Sequence, residues 1–148
     1  MNAGGDKMFT NIKNFFNAYE LDSNEITEAE KQMEIQIPED LKKFYQEVGY
    51  GFVKCDGGAI NRLIGPLGCA DIRLRNDYYE YDLDLEMYES FETDKMIFFE
   101  VNEGVYMSIG INDGKIYFTD KQVAETLSEF LEKMVDLPYA DYVRVDAD

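Results

Sequence analysis

Residues 30–52 read EKQMEIQIPEDLKKFYQEVGYGF, and this stretch predicts one helix with a signal at each end. Pro38 marks the start, because a proline in the first turn loses no hydrogen bond and its φ is already helical. Glu39 and Asp40 then place negative charge near the positive end of the helix dipole. The apolar stripe of this helix, spaced i, i+3, i+4 and i+7, consists of Leu41, Phe44, Tyr45 and Val48.

The exit from this helix is a Gly-x-Gly pair. Gly49 can adopt the left-handed conformation that ends many helices. Gly51 lets the chain leave for a strand at Phe52. Because none of the residues in this stretch is an obvious catalyst, its pattern predicts structure before it predicts chemistry.

The order of these signals resembles the SUKH superfamily, which groups yeast cell-wall-synthesis regulators with bacterial immunity proteins of polymorphic toxin systems. An acidic residue at the end of one helix precedes an apolar–proline pair, a further acidic residue, an aromatic-containing helix and the Gly-x-Gly exit. The matching positions are Glu30, Ile37, Pro38, Asp40, Phe44, Tyr45, Gly49 and Gly51. The order of the other predicted elements extends the resemblance over residues 9–135.

The length of 148 residues predicts one domain, 1–148, with a core that needs no disulfide or metal. No run of about 18 apolar residues predicts a membrane span. The first residues lack the apolar core of a signal peptide, so we expect a cytoplasmic protein. Cys55 and Cys69 are the only cysteines and are typical of free thiols in a reducing compartment.

The net charge of −17 limits the choice of partner. Such a surface repels nucleic acid and anionic membranes, since both are polyanions, so we expect neither as a partner. A basic protein would instead be attracted and steered towards it. The charge by itself favours an ordinary acidic cytosolic protein, so the expectation of a basic partner depends on further observations.

Helical spacing predicts the elements before the central helix. A first helix over residues 8–20 is predicted by Phe9, Ile12, Phe16 and Tyr19. Thr27 and Glu30 resemble a capping box, which predicts a second helix to about Glu34. After the central helix, residues 51–54 and 59–64 read as short strands that are divided by a turn at 55–58.

Residues 70–94 fit two periods. A heptad spacing, which favours a helix, links Leu74, Tyr78, Tyr81, Leu85 and Tyr88. Alternation of apolar and acidic residues over 79–87 favours a strand. The SUKH resemblance implies a helix after the first strands, so we predict a helix over 71–81, while 82–94 fits a helix, a strand or a loop.

The last third of the chain predicts an antiparallel meander of strands at 96–101, 105–111 and 115–118, with Asn112-Asp113-Gly114 as a hairpin turn. Thr119 and Gln122 resemble a capping box and predict a helix to about Val135, followed by a weakly held tail at 136–148. The fold class is therefore α+β, with helices packed on one side of a mainly antiparallel sheet.

Most catalytic chemistry is excluded by residue type. The chain has no histidine, so it lacks Ser-His and Cys-His nucleophile pairs and histidine metal ligands. Two thiols are too few for the usual zinc site. The acidic run from Asp82 to Glu86 lacks the glycine of a calcium-binding EF-hand loop. We therefore expect no enzyme, no metal and no cofactor.

The segment 77–94 is the candidate partner-binding region, because eight acidic residues alternate with tyrosines and no lysine or arginine interrupts them. Tyrosine supplies contact area and a hydroxyl, and carboxylates pair with Arg and Lys. The candidate contact residues are Asp77, Tyr79, Glu80, Asp82, Asp84, Glu86 and Glu89. The alternative is a solvated face whose tyrosines cover the sheet.

The SUKH resemblance implies a binding protein that neutralises a cognate toxin domain of a polymorphic or contact-dependent toxin system. Nuclease toxins are common targets in the bacterial branch, and their substrate-binding clefts are often basic. The alternative implied by the same resemblance is a cytoplasmic regulatory scaffold of the cell-wall-synthesis type. The sequence does not decide whether the protein is a monomer or a dimer.

Overall fold

The computed structural model describes residues 8–54, 61–101 and 104–136. The strands are β1 (Phe16–Tyr19), β2 (Tyr50–Val53), β3 (Asn61–Leu63), β4 (Lys95–Val101), β5 (Val105–Gly110), β6 (Ile116–Phe118) and β7 (Lys121–Ala124). The α helices are α1 (Ser23–Met33), α2 (Glu39–Glu47), α3 (Pro66–Leu74) and α4 (Leu127–Asp136), and the 3₁₀ helices are η1 (Thr10–Phe15), η2 (Asp77–Tyr79) and η3 (Leu83–Phe91). Among the helices of these ranges, none is long and apolar enough to cross a bilayer. The predicted turn at 55–58 and residues 137–148 of the predicted tail lie outside the described residues.

The strands form one sheet in the chain order β1 to β7, and every neighbouring pair is antiparallel. This arrangement confirms the predicted α+β class and the mainly antiparallel sheet. The predicted meander is confirmed as β4, β5 and β6, whose ends match the prediction within one residue. The Gly110 N–H donates to the Lys115 carbonyl at 2.8 Å, and Gly114 has a φ of +71°, so the predicted hairpin turn is confirmed as well.

Strand alternation divides the sheet into two faces. On one face, the ring of Phe99 packs edge-on against Phe130 of α4, with centroids 5.1 Å apart. On the same face, Phe16 packs against Phe44 of α2 with the same centroid separation. The register from β1 to β4 places Phe16 and Phe99 on this common side. The main core therefore lies between the sheet and the helices α2 and α4.

The other face carries a polar row in which Arg62, Glu100 and Tyr106 lie directly beside one another on β3, β4 and β5. Tyr88 of η3 packs edge-on against Tyr106 on this face, with ring centroids 5.5 Å apart. The prediction of helices on one side only is therefore right for α2 and α4 and wrong for η3, which covers the opposite face.

The central helix is confirmed as α2. Pro38 takes the N-cap position, with φ −55° and ψ 144°. It therefore lies just before the first helical turn, whereas the sequence predicts it inside that turn. The predicted apolar stripe is buried at Leu41, Phe44, Tyr45 and Val48. Gly49 has a φ of +111°, which confirms the predicted left-handed exit.

The prediction of a helix over 8–20 is wrong in its second half, because the chain forms only the short η1 and then pairs with β2 as β1. The two glycines make this pairing possible. An ideal Cβ on Gly51 would lie 2.2 Å from the carbonyl oxygen of Asn17, and one on Gly49 would lie 2.1 Å from that of Tyr19. The Gly-x-Gly pair therefore provides space for another strand as well as an exit from a helix.

The capping box predicted for α1 is misplaced. The Glu25 carboxylate accepts the Asp22 N–H at 3.3 Å, and Asp22 has the extended backbone of an N-cap residue. The Thr27 hydroxyl instead donates to the carbonyl of Asn24 at 3.0 Å. The helix therefore begins five residues earlier than predicted.

The capping box predicted for the last helix is also misplaced. Thr119 has a φ of +54° and Gln122 lies in β7. Two capping hydrogen bonds instead lie at the start of α4. The Thr126 hydroxyl accepts the Glu129 N–H at 3.1 Å, and the Glu129 carboxylate accepts the N–H of Glu125, the residue before Thr126, at 2.9 Å. The hydrogen bond from Glu125 lowers the pKa of Glu129.

The helix predicted over 71–81 is wrong at both ends. Its true counterpart, α3, begins at Pro66, where the missing N–H costs nothing. It ends before Arg75, which has a φ of +54°. The chain continues into η2 and η3, so most of the open segment 82–94 is 3₁₀ helix.

Candidate partner-binding surface

The segment that carries the candidate contact residues is residues 77–91, which we call the 3₁₀ segment. A 3₁₀ helix has three residues per turn, so side chains at i and i+3 lie above one another. Leu85 and Tyr88 are buried and Phe91 is half-buried, which gives η3 one anchoring row of period three. The other two rows of η3 therefore point away from the sheet.

Tyr88 is the main contact between this segment and the sheet. Its hydroxyl oxygen accepts the Tyr106 N–H at 2.9 Å, and its ring also packs edge-on against Phe118. Burial raises the pKa of Tyr88. This tyrosine fits the alternative prediction, in which tyrosines of the acidic segment cover the sheet.

Arg75 fastens the segment to the end of α3. Its Nη2 atom lies 2.6 Å from a carboxylate oxygen of Glu92 and 3.3 Å from the carbonyl oxygen of Leu85. Glu92 is only 9% exposed, and a buried carboxylate needs a partner of opposite charge. The Arg75 guanidinium is that partner. The 3₁₀ segment is therefore held at both its middle and its end.

Tyr79 lies above the polar row of the sheet. Arg62 forms an ion pair of 2.7 Å with Glu100. Burial lowers the pKa of Arg62, but the hydrogen bonds and charges of Glu100 and Tyr79 outweigh it and raise that pKa overall. The pKa of Tyr106 is raised by burial first and then by the nearby charges of Glu100 and Asp82. Tyr79 is half-buried and packs against the core, so it is less accessible than its sequence position suggests.

The predicted contact residues divide by exposure. Asp77, Glu80, Asp84, Glu86 and Glu89 are exposed. Asp82 is half-buried and accepts the Asp84 N–H at 3.0 Å, which shapes the entry into η3. Among the described residues, none of the five exposed carboxylates forms an ion pair with a lysine or arginine. These five charges are therefore available to a partner.

Three apolar side chains on the segment are exposed and were not among the residues predicted to bind. Tyr81 is 82% exposed, Leu83 is 77% exposed and Met87 is 54% exposed. Leu83 and Met87 fall on the two solvent-facing rows of η3, and Tyr81 lies just before its N-cap. The sequence signal that could have found them is the period of three in Leu85, Tyr88 and Phe91, which leaves the other positions outside.

Tyr45 and Cys69 are neighbouring polar residues in the core. The Tyr45 hydroxyl donates to the Ile64 carbonyl at 2.6 Å and lies 3.5 Å from the Cys69 sulfur. Burial raises the pKa of Cys69 to about 12, and burial also raises the pKa of Tyr45. A thiol that holds its proton this tightly is a poor nucleophile. In the described ranges, no group of three or more Cys, Asp or Glu side chains is placed to hold a metal ion.

Comparisons with known proteins give a family and one curated relative. The sequence model described as the SMI1 / KNR4 family (SUKH-1) matches residues 20–133. The chain is 44% identical over 119 residues to "Immunity protein YxxD" of Bacillus subtilis (strain 168), an alignment that covers 78% of this chain and 81% of that protein. No solved structure gives a significant match. The matched residues include both the central helix and the 3₁₀ segment.

Proposed function

This chain belongs to the SMI1 / KNR4 family (SUKH-1), and on that basis we propose that it is an immunity protein that binds and neutralises a cognate toxin. The observation that carries the proposal is its 44% identity to a curated immunity protein, over most of the length of both chains. The chain acts by binding, without a catalytic step of its own, inside the cell that it protects.

The proposed partner is a basic toxin domain of a polymorphic or contact-dependent toxin system. A surface with five exposed carboxylates on one segment and a net charge of −17 attracts a positively charged protein over a distance. A nuclease fits this description, since its active-site cleft must hold phosphates. The 3₁₀ segment would then lie on or beside that cleft and exclude the substrate.

Co-expression tests this function directly. The first step is to find a large secreted protein encoded next to this chain. Its C-terminal domain, the neighbouring toxin domain, is placed under an inducible promoter, with this chain or an empty vector on a second plasmid. We expect the domain to stop growth with the empty vector and growth to be restored by this chain. A toxin domain from an unrelated system serves as the specificity control, and this chain should not restore growth against it.

Failure to restore growth against the neighbouring domain, together with no binding between the two purified proteins, would overturn the proposal. Recovery of several unrelated cytoplasmic proteins with this chain, under the same conditions, would then favour the regulatory scaffold of the cell-wall-synthesis type.

A further inference from the structure

We infer that Tyr81, Leu83 and Met87 are the apolar anchors of the interface, and that they enter an apolar pocket of the toxin domain whose rim carries lysines and arginines. The inference deepens the proposed function and rests on it. We call these three residues, with the five exposed carboxylates around them, the anchor ridge.

Tyr81, Leu83 and Met87 form a group of exposed apolar side chains. Single exposed apolar residues are common on protein surfaces and need no explanation. Here, however, three large side chains that are 54–82% exposed fall within seven consecutive positions. Leu85, between them, is buried, so the segment already has its own anchoring row and does not need these three for packing. Their contribution is therefore to a surface and not to the core.

The anchor ridge is fastened to the rest of the protein by hydrogen bonds. The Tyr88 hydroxyl is bound to the backbone of β5, and Arg75 is bound both to Glu92 and to the carbonyl of Leu85. A segment held at these points is already ordered before it meets a partner. Binding through a pre-organised surface loses less conformational entropy, so more of the contact energy contributes to affinity.

The charge around the anchors selects the partner. No lysine or arginine occurs between Arg75 and Lys95, and Glu80, Asp84 and Glu86 directly neighbour the anchors in sequence. Interfaces commonly place aromatic and apolar anchors at the centre and charged groups at the rim. A partner complementary to this ridge therefore has an apolar centre and a basic rim.

A second set of exposed apolar side chains lies at the β1 edge of the sheet and provides a comparison. Phe15, Tyr19 and Phe52 are 46%, 60% and 39% exposed. On the opposite face of the same edge, a groove beside β1 is lined by two lysines, Lys13 and Lys54, and two glutamates, Glu20 and Glu47. The charge there has both signs, so this edge does not select a basic partner in the way that the anchor ridge does.

The test is the affinity of purified variants for the neighbouring toxin domain, carried in an inactive form and measured by calorimetry. Tyr81→Ala/Leu83→Ala/Met87→Ala is expected to weaken binding at least 100-fold. The matched control Phe15→Ala/Tyr19→Ala/Phe52→Ala is expected to bind within threefold of the unmodified chain. Leu83→Lys, at a site exposed enough to accept any side chain, is expected to weaken binding at least 30-fold because it places a positive charge against a basic rim.

Circular dichroism identifies any variant that has lost its fold. If the triple variant is unfolded, the affinity of Leu83→Lys tests the inference in its place. Binding of the folded ridge variants within threefold of the unmodified chain would overturn the inference while leaving the proposed function intact. A loss confined to the β1-edge variant would overturn it and move the interface to that edge. If the unmodified chain does not bind the toxin domain at all, the proposed function fails and the inference fails with it.

Discussion

The carboxylate of Glu30 accepts a hydrogen bond of 2.8 Å from the backbone N–H of Ile37. Glu30 lies near the end of α1, and Ile37 is the last residue before Pro38, which cannot donate a hydrogen bond. The same carboxylate oxygen lies 3.0 Å from the Lys42 ammonium group in α2. One acidic side chain therefore fixes the turn between two helices, which gives a structural reason for an acidic residue at this position.

Replacing Glu30 should show which of its two contacts matters. Glu30→Ala leaves a partly buried N–H without an acceptor and should lower the free energy of unfolding by about 1–3 kcal/mol. Glu30→Gln keeps an acceptor oxygen and should cost less. Lys42→Ala removes only a partly exposed ion pair and should cost about 0–1 kcal/mol. Urea denaturation measures all three, and an equal loss in Lys42→Ala and Glu30→Ala would assign the effect to the ion pair.

A side chain at Gly51 should prevent β1 from pairing with β2. In Gly51→Ala the new Cβ would meet the Asn17 carbonyl, so we expect a loss of stability of about 3 kcal/mol or more, among the larger effects of single substitutions. Gly114→Ala is the matched control, because Gly114 also has a positive φ but has open space around it. That variant should lose only about 1–2 kcal/mol, the cost of left-handed backbone for alanine. Similar losses in both variants would show that conformation, and not the close approach, determines the requirement at Gly51.

Stability should fall in alkaline solution. Burial raises the pKa of Cys69 to about 12, compared with a usual thiol value of about 8.5. The folded state therefore holds this proton more tightly than the unfolded state. Its stabilising effect is complete below about pH 8.5 and is lost as the pH rises towards 12. The raised pKa of Tyr45 acts in the same direction above the usual tyrosine value.

The urea midpoint measured from pH 8 to pH 11 tests this expectation. Cys69→Ala should start from a lower stability, because it leaves a small cavity, but should decline less steeply with pH. Tyr81→Phe is the control, since it removes a hydroxyl from an exposed side chain and should leave the slope unchanged. Equal slopes in Cys69→Ala and the unmodified chain would contradict a role for the buried thiol.

Association with the toxin domain should depend on ionic strength. If the carboxylates of the anchor ridge steer the encounter, the association rate constant should fall steeply between low salt and about 0.15 M, where the screening length is about 8 Å. Glu80→Gln/Glu86→Gln/Glu89→Gln should slow association at low salt and flatten this dependence. Stopped-flow fluorescence or surface plasmon resonance measures both effects. An association rate that is independent of salt would remove electrostatic steering from the proposed mechanism.

The parts of the fold that could be predicted from sequence are those with local signals. The central helix has a start at Pro38, an apolar stripe and a stop at Gly49, all within one short stretch, and each signal agrees with the others. The hairpin at Asn112-Asp113-Gly114 is of the same kind. In these places the local backbone preferences and the tertiary structure favour the same conformation.

The first strand could not be predicted because its cause is distant in sequence. Phe16 and Tyr19 fit a helical period as well as they fit β1, and only pairing with β2 selects the strand. The space for that pairing is created by Gly49 and Gly51, about thirty residues away. The capping box predicted at Thr119 is wrong because two pairs of residues fit the same sequence pattern. Thr126 and Glu129, which follow β7, are the pair that lies at the start of the helix.

Composition locates the candidate surface and its exposed carboxylates, but it does not identify the exposed apolar residues Tyr81, Leu83 and Met87. The heptad and alternating patterns in 74–88 both include Leu85, and neither has the period of three that η3 adopts. As a result Tyr79, which is half-buried, was expected to be a contact residue, whereas the more exposed Tyr81 was not.

The period of three in η3 has a consequence for how this protein can change. A helix anchored by Leu85 and Tyr88 stays packed on the sheet as long as that row is apolar. Residues of the two outer rows can therefore be substituted one at a time without disturbing the core. If these rows form the proposed toxin-binding surface, substitutions confined to them would be enough to follow changes in the toxin. The proposed binding surface would then diverge between strains while the residues of the core stay the same.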